Sequence, residues 1–254
     1  MSIKDFFSNK KRFYPLFETK NIKNPNRWLS FPILGFVFKG IVLIPVFIEL
    51  VILGIIYFIC VILLNPFVIL FTGKYWNFAY ELNVGVIKLG AKVYYYFAGL
   101  TNQYPWFNLE IKDDLISLKI EKPKNPNRVL NFPILGFIVK AIALIPIYLV
   151  MRVVSTAAQI AFSFTSFVIF FTARYPESSY EINRDYLRLD FATGMYLTGL
   201  SDTYPSMFVS LNHKKIKIFL LILGFIFSFM NITANNRSNY HYQNTGGIQN
   251  NRSF

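Results

Sequence analysis

Asn24–Pro45 reads NPNRWLSFPILGFVFKGIVLIP, and Asn125–Pro146 reads NPNRVLNFPILGFIVKAIALIP. The two stretches are identical at 16 of 22 positions, at an offset of 101 residues. Further along, Phe71-Thr72-Gly73-Lys74-Tyr75 matches Phe171-Thr172-Ala173-Arg174-Tyr175 at an offset of 100. Tyr80-Glu81, Gly99-Leu100 and Tyr104-Pro105 recur at the same offset as Tyr180-Glu181, Gly199-Leu200 and Tyr204-Pro205. One residue has therefore been gained or lost inside the apolar run. Self-similarity of this extent marks a duplicated module of about 85 residues. The chain divides into a basic N-terminal segment (1–23), repeat 1 (24–107), a linker (108–124), repeat 2 (125–208), a C-terminal apolar segment (209–233) and a tail (234–254). The tail is rich in Asn, Ser and Gly, a composition that predicts disorder.

The 254 residues are 54% hydrophobic, 19% aromatic and only 15% charged. An average soluble domain carries about 25% charged residues. With a mean hydropathy of +0.40, the composition excludes an ordinary soluble enzyme and points to a bilayer. The net charge of +13 flanks the apolar runs instead of lining a polar helix. That placement reads as cytoplasmic charge meeting anionic lipid headgroups, not as a nucleic-acid surface. The first apolar run begins near Phe31, too late and too long for a cleavable signal peptide. Cys60 is the single cysteine, so no disulfide framework forms within the chain.

The apolar runs extend from Pro32 to Phe71 and from Pro133 to Phe171. As helix, about 40 residues would be roughly 60 Å long, twice the hydrocarbon thickness of about 30 Å. Two readings fit: a hairpin that crosses twice, or a shallow interfacial helix followed by one tilted span. Lys23 and Arg27 precede the first run and Lys74 follows it; Lys124 and Arg128 precede the second and Arg174 follows it. Basic residues at both ends favour the hairpin, with its turn near Pro45, Glu49 and Gly54 in repeat 1 and near Pro146, Arg152 and Ser155 in repeat 2. The third segments, Asn77–Gly99 and Ser178–Gly199, are expected as amphipathic helices on the cytoplasmic interface. Arg184, Asp185, Arg188 and Asp190 would be costly in lipid, and an interfacial helix avoids that cost. The predicted fold is thus an all-α integral membrane protein. It consists of two repeated hairpins, each with an interfacial helix, plus a short C-terminal apolar helix at Ile218–Met230.

The motif order FP-LG, Lys, L-IP, a long apolar run, FTG-[KR]-Y or its FTA variant, GL[TS] and YP resembles a bacterial integral-membrane family, domain of unknown function 4389. Both copies are similar to it, over about Asn24–Phe107 and Asn125–Phe208. The resemblance implies a multi-pass protein of the bacterial cytoplasmic membrane, and the basic residues ahead of the first run place the N-terminus on the cytoplasmic side. The resemblance implies no activity and no catalytic residues.

A search for chemistry returns little. His213 and His241 lie outside the repeats, and no metal-ligand set, phosphate loop, nucleophile elbow or paired intramembrane carboxylates can be written. No cofactor is expected. Gly35 and Gly136 read as close helix-packing positions. Asn24-Pro25-Asn26-Arg27 and its copy read as a turn with Asn caps. Four charges fall inside the apolar runs: Lys39, Glu49, Lys140 and Arg152. Lys39 and Lys140, with Arg27 and Arg128, are read as lipid-headgroup contacts through snorkelling. Glu49 and Arg152 are a candidate intramembrane charge pair. The function expected is non-enzymatic: a scaffold, assembly factor or accessory subunit with protein partners in a larger membrane complex. The alternative is a small transporter, channel or lipid-handling protein with its site between the repeats.

Overall fold

The computed structural model describes residues 16–106, 116–205, 215–228 and 230. The basic segment before residue 16, the linker up to residue 115, both histidines and the tail lie outside the described residues. The described chain is mostly helical, and two of its helices are long and apolar enough to cross a membrane.

The Phe-Pro-Ile-Leu-Gly motif builds the same entry in both halves. The Leu34 N–H donates to Pro32 O at 2.8 Å, and the Leu135 N–H to Pro133 O at 2.7 Å. Each bond closes a γ-turn, with Ile33 at φ 65° and Ile134 at φ 64°, a conformation that strains a β-branched residue. Helices α1 (Leu34–Val42) and α4 (Leu135–Ala143) follow. A Cβ on Gly35 would stand 2.7 Å from Leu29 O, and one on Gly136 2.5 Å from Leu130 O. These glycines let each short helix close on its own entry turn; they are not the contact between helices expected from the sequence.

The chain bends at Leu43 and Leu144, just ahead of Pro45 and Pro146. Long helices α2 (Ile44–Thr72) and α5 (Ile145–Thr172) follow. The Tyr104 hydroxyl donates to Val42 O at 2.9 Å, and the Tyr204 hydroxyl to Ala143 O at 2.8 Å, so the YP tyrosines satisfy carbonyls at the bend. This corrects the double hairpin. No turn occurs at Glu49, Gly54, Arg152 or Ser155, because the missing donor of each proline is spent at the first turn of a new helix, where it costs nothing. The one-residue offset is accounted for too. Helix α2 has 29 residues against 28 in α5, and its Phe58–Leu64 stretch is π-helical. An extra residue absorbed as a π-bulge leaves the ends of both helices in register.

Helices α3 (Asn77–Phe97) and α6 (Glu177–Leu197) then run back along α2 and α5. Leu89, Val93 and Tyr96 of α3 pack with Leu43 and Val46; Leu189 and Tyr196 of α6 pack with Leu144 and Ile147. The opposite faces of the two helices carry a small antiparallel ladder, β1 (Leu16–Thr19) with β2 (Ile116–Lys119), in which Phe17 faces Leu118. Phe17 makes edge contacts with Tyr95 and Phe191, and the Arg188 guanidinium donates to its carbonyl at 2.9 and 3.2 Å. The architecture therefore has three layers: strands, α3 and α6, and the long apolar helices. The fold is mostly helical, as expected, with one short ladder added to it, and β2 lies within the expected linker. The third segments are not surface helices. They are the most buried helices of the structure, with Ile182, Leu189 and Tyr196 against α5 and Arg184 and Arg188 beneath the ladder.

The two halves pack head to tail about an approximate two-fold. The Tyr75 hydroxyl donates to Thr198 O at 3.3 Å and the Tyr175 hydroxyl to Ala98 O at 3.4 Å. The Arg128 side chain lies against Gly73, while Phe31 stacks edge-on with Phe170. Residues 215–228 form α7, which docks on α5 with Gly224 close to Val153 O and Ala157.

Candidate functional site

Lys39 and Lys140 do not snorkel to a surface. They are 3% and 1% exposed, and each points at the C-terminal end of the helix that returns to it. Lys39 Nζ donates to Phe97 O at 3.2 Å over the Tyr96 ring. Lys140 Nζ donates to Asn131 Oδ1 at 2.6 Å over the Tyr196 ring. Burial lowers both ammonium groups to a pKa of about 8, with Asp202 pulling Lys140 back up. The physical reason for the correction is a nearby acceptor: for Lys39 a carbonyl at a helix C-terminal end, which attracts a cation, and for Lys140 the Asn131 side-chain oxygen. Arg27 and Arg128 are exposed, as are Lys74 and Arg174 at the far ends of the long helices.

The structure does not bring Glu49 and Arg152 together. Glu49 faces Lys92 of its own half. Arg152 is exposed on α5, where its carbonyl accepts bonds from Ser155 and Thr156. The repeated Asn caps form differently from expectation as well. Asn26 Oδ1 accepts from the N–H groups of Trp28 and Leu29, and Asn127 Oδ1 from those of Val129 and Leu130. They cap the entry turn, not α1 or α4. Asn102 and Asp202 in turn accept from the N–H groups of Asn26 and Asn127, which ties the NPN turn to the GL[TS] loop.

Two constellations stand out that the sequence reading left unused. The first is an ion cluster under α7. Lys217 is fully buried, 2.7 Å from Asp185 Oδ2 and 3.4 Å from Glu181 Oε2. Arg184 completes it at 3.2 Å from Asp185 Oδ1. A buried carboxylate pair with a single shared ammonium holds α7 in register.

The second is a cavity of about 360 Å³ where α3 and α6 face each other above the long helices. Positions Val86, Ile87, Gly90 and Tyr94 supply one wall, and their counterparts Tyr186, Leu187, Asp190 and Gly194 the other. Tyr57 of α2 and Tyr148 and Met151 of α5 complete it. Nothing lies within 4 Å of a Cβ built on Gly90 or Gly194, so these two positions create the room. Asp190 is the one carboxyl in the wall, and burial pushes it above the usual carboxylate range. Tyr94, Tyr148 and Tyr186 all lie within its electrostatic reach. Tyr94 is fixed by donating to Asn183 Oδ1 at 2.5 Å. An acid walled by tyrosines in an otherwise apolar cavity suits a cation with some apolar surface. The signal for it was in the sequence: Asp190 replaces Gly90 at a corresponding position. No family model, curated protein or solved structure matches the chain.

Proposed function

We propose that the chain is a non-enzymatic protein of the bacterial cytoplasmic membrane that lies in the cytoplasmic leaflet and serves as a scaffold or accessory subunit. The observation that carries this reading is the one-sided distribution of exposed large apolar side chains. They sit on α1, α2, α4, α5 and α7 and on the turns that lead into them, with Phe78, Trp106 and Tyr204 as the outliers. Among the residues whose side chains are described, none is on β1, β2 or α6. An apolar patch of this extent needs a nonaqueous partner.

Orientation follows from the layers. Upright, α2 and α5 would be about 43 Å long in a core of about 30 Å. The ladder, with exposed Lys20, Ser117 and Lys119, would then lie near mid-bilayer. Laid flat, the long helices enter one leaflet, and the ladder faces water for partner proteins. Both ends of each long helix, marked by Arg27, Lys74, Arg128 and Arg174, then meet anionic headgroups on one side. The symmetric basic flanks favour the same arrangement.

The test is sidedness. In a Cys60→Ser background, Arg27→Cys and Lys74→Cys should both react with an impermeant maleimide in inverted vesicles and neither in intact spheroplasts. Reaction of one from each side would replace the flat orientation with a spanning one. A lipid-handling role is the second reading, favoured by the cavity between the halves.

A further inference from the structure

We propose that the cavity between α3 and α6 is a receptor for an organic ammonium group, with Asp190 as counter-ion and Tyr57, Tyr94, Tyr148 and Tyr186 as aromatic walls. This goes beyond the scaffold reading and stands or falls separately from the sidedness test. Four observations point the same way.

The half-buried Asp190 carboxyl has no hydrogen-bond or ion-pair partner among the described residues, whereas the buried acids of its helix, Glu181 and Asp185, do. A carboxyl that opens only into a largely apolar cavity is partly desolvated, and a cation in the cavity offsets that cost. The walls are aromatic, and ring faces attract cations, alkylated ammonium above all, without supplying the lone pairs that a metal ion requires. One carboxylate alone is a poor metal site, and an anion would be repelled. The volume of about 360 Å³ lies at the lower end of small-ligand sites, enough for a headgroup amine and not for a whole lipid. Finally, the acid is present in one half only: Gly90 stands where the second half has Asp190, so the cavity holds one negative charge and offers room opposite it.

The ammonium group has two sources, the headgroup of an aminophospholipid or a soluble amine. The full chain purified in detergent is offered phosphatidylethanolamine, phosphatidylglycerol and diacylglycerol, and retained lipid is read by native mass spectrometry. The expected result is at least tenfold preference for phosphatidylethanolamine, lost in Asp190→Asn and in Gly90→Leu, which fills the cavity. Displacement of the lipid by millimolar ethanolamine or tetramethylammonium shows that the headgroup is what is held. Binding of those amines with no lipid preference assigns the soluble source. If neither lipid preference nor amine binding is seen, or if Asp190→Asn binds as the parent does, the proposal is overturned. Should Asp190→Asn fail to fold, discrimination by the unaltered chain decides alone: equal retention of the three lipids without amine binding refutes it.

Discussion

The first and second halves share a backbone plan yet differ in what their middle helices carry. Helix α3 has Gly85 and Gly90 where α6 has Asp185 and Asp190, and Ala192 stands opposite Lys92. The difference follows the position of α7. It covers α5 and supplies Lys217 to Asp185 and Glu181, whereas α2 has no such cover among the described residues. Only 11% of the most apolar window of α2 is buried, against 39% for α5. The acids Glu181 and Asp185 are thus buried where an added helix brings the opposite charge to them.

Removing that charge should break the asymmetry most severely. Lys217→Ala takes away the buried ammonium that Asp185 and Glu181 share, while Arg184 stays beside Asp185. A loss of about 3–5 kcal/mol is expected for breaking such a pair, read as a fall in the denaturant midpoint in micelles. The corresponding region of the first half should be nearly silent: Lys88→Ala is expected within about 0.5 kcal/mol. Equal effects in the two halves would mean that α7 docks on apolar contacts alone.

The docking surface gives the next effect. A Cβ on Gly224 would meet Val153 O at 2.6 Å and Ala157 N at 2.9 Å, and both atoms are backbone. Gly224→Ala must push α7 off α5, at about 1–3 kcal/mol. Gly54 lies in uncovered α2 with nothing within 4 Å. Gly54→Ala should stabilise by about 0.5–1 kcal/mol through helix propensity. Matching signs for these two substitutions, measured by thermal unfolding, would show that the covered and open helices do not differ.

How far this plan could be read in advance depended on the kind of signal. The duplication, the helical content and the long apolar elements were visible in residue identities and hydropathy, which are local. Even the single-residue offset was legible, though its form as a π-bulge was not. The expected hairpin treats Pro45 and Pro146 as mid-run breakers, whereas their position places them in the first turn of a helix. The middle helices were misplaced for a different reason. Arg184, Asp185 and Arg188 look fit for water until Lys217 and the Phe17 carbonyl are brought to them, and both partners are remote in sequence. The same holds for Lys39, whose acceptor lies at Phe97, whereas the acceptor of Lys140, Asn131, is only nine residues away. Of the candidate site, Asp190 was legible as a charge but not as a lone one, because the surrounding tyrosines come from four helices.

The buried lysines give a pH comparison between the halves. Their ammonium groups are held near pKa 8 in the folded chain, below the value near 10.5 of an unfolded lysine. Between about pH 8 and 10 the unfolded chain binds more protons, so stability should rise with pH, by an amount of order 1 kcal/mol after the attraction of the helix-end carbonyls is counted. Above about pH 10 the rise should reverse, because buried Tyr75 and Tyr175 resist ionisation when folded. Asp202 offsets the shift at Lys140 and nothing comparable acts on Lys39. Lys39→Met should therefore flatten the rise more than Lys140→Met, as thermal midpoints against pH would show. A flat parent curve would mean that both lysines stay charged.

The smallest expected effect concerns the turn between long and middle helices. Gly73 ends α2 at φ 68°, and Ala173 ends α5 at φ 54°. This left-handed cap suits glycine, because a Cβ crowds the following carbonyl. Ala173→Gly should stabilise the second half by about 0.5–1 kcal/mol, the relief of strain outweighing the entropy glycine gains when unfolded. The reverse change is not its mirror image. A Cβ on Gly73 would stand 2.5 Å from the Arg128 guanidinium, so Gly73→Ala combines the backbone strain with displacement of a side chain from the other half. Its loss should exceed the gain of Ala173→Gly, and trimming the guanidinium with Arg128→Ala should bring the two toward equality. If Gly73→Ala costs the same with and without Arg128, the contact between the halves at this corner contributes nothing, and the turn alone sets the energy.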